Sequence, residues 1–185
     1  MQLHQPAPEF ELRDLHGNIH KLSNYLGRII ILNFWSAECP HSERTDRLMP
    51  ELLAQWGEAV ILLPIASNRN ESVQMVEAAA KTRRIPTVLM DVNQAVADLY
   101  EAISTPHIFV IDPQGILRYR GAVDDVKFRQ PKATHFYLEE VMEALLDGRN
   151  PGLLRKPLCH GVYRLALAGG CHAPGRSAAD RDTVG

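Results

Sequence analysis

Cys39 is followed by Pro40, His41 and Ser42, and it stands where a run of β-branched and aromatic residues gives way to a helical pattern. A thiol at a strand-to-helix junction faces unpaired N–H groups and the positive end of the helix dipole, and both favour thiolate over thiol. Cysteines in such settings ionise between about 3.5 and 7.5 rather than near 8.5. A protonated His41 would add to that preference, whereas Glu38 would oppose it. Ser42, one turn along, is placed to donate its hydroxyl to the sulfur. Pro40 suits a first helical position because its missing N–H would be unpaired there anyway. The chemistry this pattern predicts is nucleophilic attack by sulfur. The plainer alternative is a buried structural cysteine, a common fate for free thiols.

The elements that must hold Cys39 are legible on both sides of it. Arg28–Phe34 is a continuous apolar run, expected to form a strand buried on both faces. Beyond Pro40, Leu48, Leu52, Leu53 and Trp56 recur at helical spacing. Val60–Ser67 reads as another buried strand, and Asn70 is expected to cap a helix reaching Lys81. Thr87–Met90 reads as a short strand and Gln94–Tyr100 as a short helix. Upstream, Phe10–Leu22 reads as two short strands about the turn His16-Gly17-Asn18. Downstream, His107–Ile111 and Ile116–Arg120 flank Asp112-Pro113-Gln114-Gly115, which predicts a hairpin. Leu138, Val141, Met142, Leu145 and Leu146 form one helical stripe that ends at Gly148.

Alternation of this kind predicts an α/β domain, a mixed sheet flanked by helices, over residues 1–149. Residues 150–185 form a C-terminal extension whose Pro, Gly and Ala content predicts partial disorder. Its apolar stretch Val162–Leu167 is expected to pack back on the domain as a strand.

Composition narrows the function further. The chain has 185 residues, with 20 basic and 22 acidic side chains and a net charge of -2, so it presents no basic footprint for nucleic acid. Its apolar runs are too short to span a bilayer. Residues 1–8 lack both a basic and an apolar stretch, so no signal peptide is visible. The expectation is a cytoplasmic protein, or a periplasmic one if a leader has been removed. Three cysteines are too few for a disulfide scaffold and point to chemistry instead.

The segment Phe34-Trp35-Ser36-Ala37-Glu38-Cys39-Pro40-His41-Ser42 resembles the Trp-Cys-x-x-Cys region of the thioredoxin superfamily. The entry Pro6-Ala7-Pro8-Glu9-Phe10, with Gly17 and Leu22–Gly27, is similar to the redoxin branch, which holds peroxiredoxins and thioredoxin-like cytochrome-maturation proteins. Ser104-Thr105-Pro106 through Gly115 is a second, independent match. The resemblance implies a thioredoxin-like fold with a cis Thr105–Pro106 bond beside Cys39. It also implies that Thr105 and Pro106 shape a groove for an extended partner segment.

The chain departs from that pattern at Ser42, where the family carries its second cysteine. A mixed disulfide on Cys39 then needs a resolving thiol from elsewhere: Cys159, Cys171 or an external thiol such as glutathione. Cys159 is preferred because it lies nearer the domain, in a segment that loosely resembles a Gly-Cys-hydrophobic-basic ending of some relatives. Ser36 fills the hydroxyl position of the peroxiredoxin motif, but Leu32 stands where its proline belongs. Arg44 or Arg47 is available as the motif's cation.

Other constellations are weaker. Cys159-His160 and Cys171-His172 are spaced unlike structural zinc ligands, so no metal is expected. Asn70-Glu71-Ser72 is set aside as a chance glycosylation sequon, and Lys81–Arg84 reads as a solvated helix end. The reading is a thiol-dependent oxidoreductase without a cofactor, performing thiol–disulfide exchange or peroxide reduction. Its partners are a thiol or disulfide protein, glutathione or peroxide. A redox-inactive binding or chaperone-like module on the same fold is the alternative.

Overall fold

The computed structural model describes residues 1–126 and 130–151. Seven strands and four helices follow in the expected alternation: β1 (Glu11–Asp14), β2 (Ile19–Lys21), β3 (Ile29–Trp35), α1 (Pro40–Trp56), β4 (Val60–Ala66), α2 (Val73–Arg83), β5 (Leu89–Met90), α3 (Ala95–Tyr100), β6 (His107–Ile111), β7 (Leu117–Gly121) and α4 (Tyr137–Leu146). They form one mixed sheet in the order β2-β1-β5-β4-β3-β6-β7. β3 lies in its interior, parallel to β4 and antiparallel to β6.

Every residue of β3 is buried, as a continuous apolar run requires. Ile30, Leu32 and Phe34 face a cluster that includes Val96, Ala97 and Tyr100 of α3. Ile29 and Ile31 face Met49 of α1 and Leu138, Val141 and Met142 of α4. Trp35 closes a third cluster with Val76 and Ala80 of α2. Asn33 interrupts the run: it is fully buried, paired in register with Pro64 and Ile108, and neither side-chain polar atom has a hydrogen-bond partner.

Two prolines sit where propensity alone would not put them. Pro50 lies inside α1, which continues for six residues beyond it to Trp56. The apolar stripe against the sheet outweighs the lost backbone bond, and the helix holds as its Leu and Trp spacing predicts. Pro64 lies within β4, but β5 pairs only with Ile65 and Ala66. At Pro64 the second neighbour is missing, which relaxes the usual ban on proline in a central strand.

The start of α2 corrects one expectation. Its cap is Ser72, not Asn70: Ser72 has extended backbone and its hydroxyl accepts from the Met75 N–H at 3.2 Å. A serine one residue before the first helical turn reaches that amide, whereas Asn70 lies two residues too early. Residues 152–185 of the C-terminal extension lie outside the described residues, including Cys159, Cys171 and the expected strand at Val162–Leu167.

Candidate functional site

β3, β4 and β5 end at one rim of the sheet, and β6 begins there. Cys39 is the N-cap of α1, with extended backbone and Pro40 as the first helical residue. Its side chain is fully buried, and Sγ donates to the Thr105 carbonyl at 3.2 Å. The Thr105–Pro106 peptide bond is cis. The structure therefore brings Cys39, Thr105 and Pro106 into one site, joining residues 66 positions apart.

The neighbours expected to tune the sulfur are arranged differently. The Ser42 hydroxyl is buried and accepts from the Ser36 N–H at 3.3 Å, so its recorded contact is with the loop and not with Sγ. His41 is half-buried; burial and then the Arg44 guanidinium push its pKa below the usual imidazole range, with Asp124 opposing. That shift disfavours the protonated form that would stabilise a thiolate. Arg44 is itself committed to the buried Asp124 through both guanidinium nitrogens, at 2.5 and 3.3 Å. Arg47 pairs with Glu43 one turn away on the exposed side of α1. Neither arginine is recorded at the sulfur.

Ser36 is fully buried and its hydroxyl donates to the Glu71 carboxylate at 2.5 Å. A serine has one proton to give. The hydroxyl expected to orient a peroxide is thus already engaged with a carboxylate.

Several residues that hold the site were not legible in advance. Glu71 also accepts from the N–H groups of Ala37 and Glu38, at 2.9 and 3.2 Å, and from the Asn68 side-chain amide at 3.1 Å. On the carbonyl side of the same loop, Arg83 donates to Ser36 and Ala37. Arg83 also reaches Asp46 at 3.1 Å, and its guanidinium lies 5.2 Å from the centre of the Trp35 ring. Asp46 in turn accepts from the Trp35 indole at 2.8 Å. Burial raises the Asp46 pKa, opposed by those two hydrogen bonds. Lys81, Thr82 and Arg84 are exposed as the expected solvated helix end requires, but Arg83 turns inward. Its only sequence signal was a basic residue in the last turn of α2, and the signal of Glu71 was hidden inside a sequon.

His107 opens β6 beside Pro106. It is buried, its ring centre lies 4.4 Å from that of Phe109 with the planes tilted by 40°, and Nδ1 has no partner. Burial pushes its pKa down to about 3, so it is neutral across the physiological range. Among the described residues no cluster of His, Cys, Asp and Glu could hold a metal, and no helix is long and apolar enough to cross a membrane.

Over 110 residues the chain is 33% identical to the thiol-disulfide oxidoreductase ResA of Geobacillus kaustophilus, covering 59% of this chain and 63% of that one. It is 31% identical over 140 residues to the thiol:disulfide interchange protein DsbE of Vibrio cholerae, covering 75% and 74%. The match to ResA thus spans less than two thirds of that relative's length. A crystal structure of a hypothetical protein from Sinorhizobium meliloti 1021 superposes with a TM-score of 0.78 at 25% identity, covering 92% of this chain and 97% of that one. The sequence profile of the AhpC/TSA family matches residues 3–120, a stretch that includes Cys39, the cis proline and the sheet between them. The chain belongs to the AhpC/TSA family, in the redoxin branch of the thioredoxin superfamily.

Proposed function

We propose that this protein is a thiol–disulfide oxidoreductase in which Cys39 is the nucleophile. The observation that carries the reading is the contact of Cys39 Sγ with the Thr105 carbonyl at a helix N-terminus, beside a cis proline. That geometry holds the sulfur against a backbone edge along which a disulfide-bearing segment can lie. Sulfur loses its proton to solvent and attacks one sulfur of the partner disulfide. A Cys39–partner disulfide forms, the partner's S–S bond breaks, and its second sulfur leaves as a thiolate. Because position 42 is serine, a second thiol completes the cycle, either Cys159, Cys171 or an external thiol such as glutathione.

Disulfide exchange is favoured over peroxide reduction because the Ser36 proton is held by Glu71. The full burial of Cys39 supports a second reading, a binding module that keeps the groove without turnover. Incubating reduced protein with glutathione disulfide and mapping thiols by mass spectrometry tests both. A glutathionyl adduct on Cys39, or a Cys39–Cys159 or Cys39–Cys171 disulfide, is expected, and it should be absent in Cys39→Ser. A thiol that stays unmodified while the protein is folded would overturn the enzyme reading in favour of the binding module.

A further inference from the structure

Four donors converge on one carboxylate beneath the loop that leads to Cys39. They are the Ser36 hydroxyl, the N–H groups of Ala37 and Glu38, and the Asn68 amide. Glu71 is only 9% exposed, and its contact with the Ser36 hydroxyl is buried while the other three are part-buried. An ionised carboxylate is an acceptor-only group with about four lone-pair sites, which suits a loop that presents only donors.

We propose that Glu71 is the positioning residue of the thiol site: its carboxylate fixes the Ser36–Glu38 backbone and so sets where Cys39 Sγ meets its partner. The inference rests on the reading of Cys39 as an exchange nucleophile. Cys39 is the next residue along the chain, and it must satisfy two constraints at once, the N-cap of α1 and the contact with Thr105. Fixing the two preceding amides removes the freedom that would let the thiol drift from that carbonyl. Arg83 holds the carbonyls of the same loop, so both edges of its backbone are fastened by side chains of one neighbouring segment, residues 68–83. With serine at position 42, no disulfide can tie Cys39 to the first turn of α1, and the carboxylate holds the loop together with the Ser42 and Arg83 contacts.

Glu71→Gln distinguishes this role from packing. Glutamine keeps the volume, but its NH2 group would face donors where an acceptor is required. Two readouts are taken on the folded full chain. The first is amide exchange at Ala37 and Glu38, expected to quicken at least about 10-fold while amides in the middle of β3 keep their protection. The second is single-turnover attack by Cys39 on a peptide carrying a 2-nitro-5-thiobenzoate mixed disulfide. The maximal rate should fall about 10-fold or more with the half-saturating peptide concentration within about 2-fold, because the Thr105–Pro106 edge is untouched.

If Glu71→Gln does not fold, Glu71→Asp takes its place. It keeps the charge but is one methylene too short, and the same changes are expected at smaller size. Wild-type exchange and wild-type maximal rate in the folded variant overturn the proposal. If native protein does not attack the peptide at all, the oxidoreductase reading fails instead, while the exchange readout still reports on Glu71.

Discussion

The two ends of β6 are each organised around a buried acid, and they differ in where that acid comes from. At the far end, Asp112 accepts from the N–H groups of Gln114 and Ile116, at 3.0 and 2.8 Å, and from Arg118 Nε at 2.6 Å. All three donors lie within six residues of it. At the rim that holds Cys39, Glu71 accepts from Ser36, Ala37 and Glu38, which are 33 to 35 residues away. The first is a turn that closes on itself with the chain nearby. The second exists only once β3, β4 and the start of α2 have assembled. A locally anchored turn keeps its shape wherever the hairpin goes, whereas the rim's geometry depends on the whole sheet.

Removing each acid should sharpen that difference. Glu71→Ala removes the acceptor that four donors share and should lower stability by about 2–4 kcal/mol in urea unfolding, with loss of Cys39 attack on disulfides. Asp112→Ala should cost about 1–3 kcal/mol by the same assay and leave the rate of Cys39 attack within about 2-fold of wild type. An equal effect of both changes on the thiol would break the comparison.

His107, at the rim end of the same strand, adds a pH dependence. Its folded pKa of about 3 lies below the ordinary histidine value, so the unfolded chain binds a proton that the native state refuses. Its neutral form is accommodated in full above about pH 6.5, and stability is lost as pH falls from there towards 3. Between pH 7 and pH 4.5 the native protein should therefore lose on the order of 2 kcal/mol more than His107→Leu does. Parallel pH–stability curves for the two proteins would remove His107 as the cause.

Arg83→Met should quicken amide exchange and alkylation at the Cys39 loop by about 3- to 10-fold, less than the Glu71 changes. Two loop carbonyls lose a donor there, and under-satisfied carbonyls are tolerated better than orphaned N–H groups. The smallest effect is expected at Ser72→Ala. Ser72 is next to Glu71, yet its cap is local, to Met75 three residues on. Its loss should cost about 1 kcal/mol without changing Cys39 reactivity. A change in thiol reactivity as large as that of Glu71→Gln would show that proximity to the rim, not the carboxylate, matters.

The same contrast explains what was legible. The Asp112 hairpin, the buried β3 run and the amphipathic α4 were read from the chain because their determinants are periodic or within a few residues. Cys39 at a helix start was legible for the same reason. The surroundings of His41 and Ser42 were not legible, because spacing along a helix does not reveal what a side chain meets across the fold. Burial and Arg44 lower the His41 pKa, and Ser42 accepts from the Ser36 amide. The inward turn of Arg83 was invisible for a related reason, since a basic helix end looks the same whether solvated or buried.

By itself, then, the sequence determined the order of elements, the buried interior of the sheet, a cysteine at a helix start as the candidate nucleophile, and the absence of a second thiol at position 42. These follow from hydrophobic period, turn chemistry and residue identity, all of them properties of short stretches. Only the tertiary structure decided that Cys39 rests on the Thr105 carbonyl, that Ser36 gives its proton to Glu71, and that Arg83 closes the loop from the other side. Those contacts join residues 35 to 66 positions apart. They depend on strand order and on where the strands end, which no local pattern encodes.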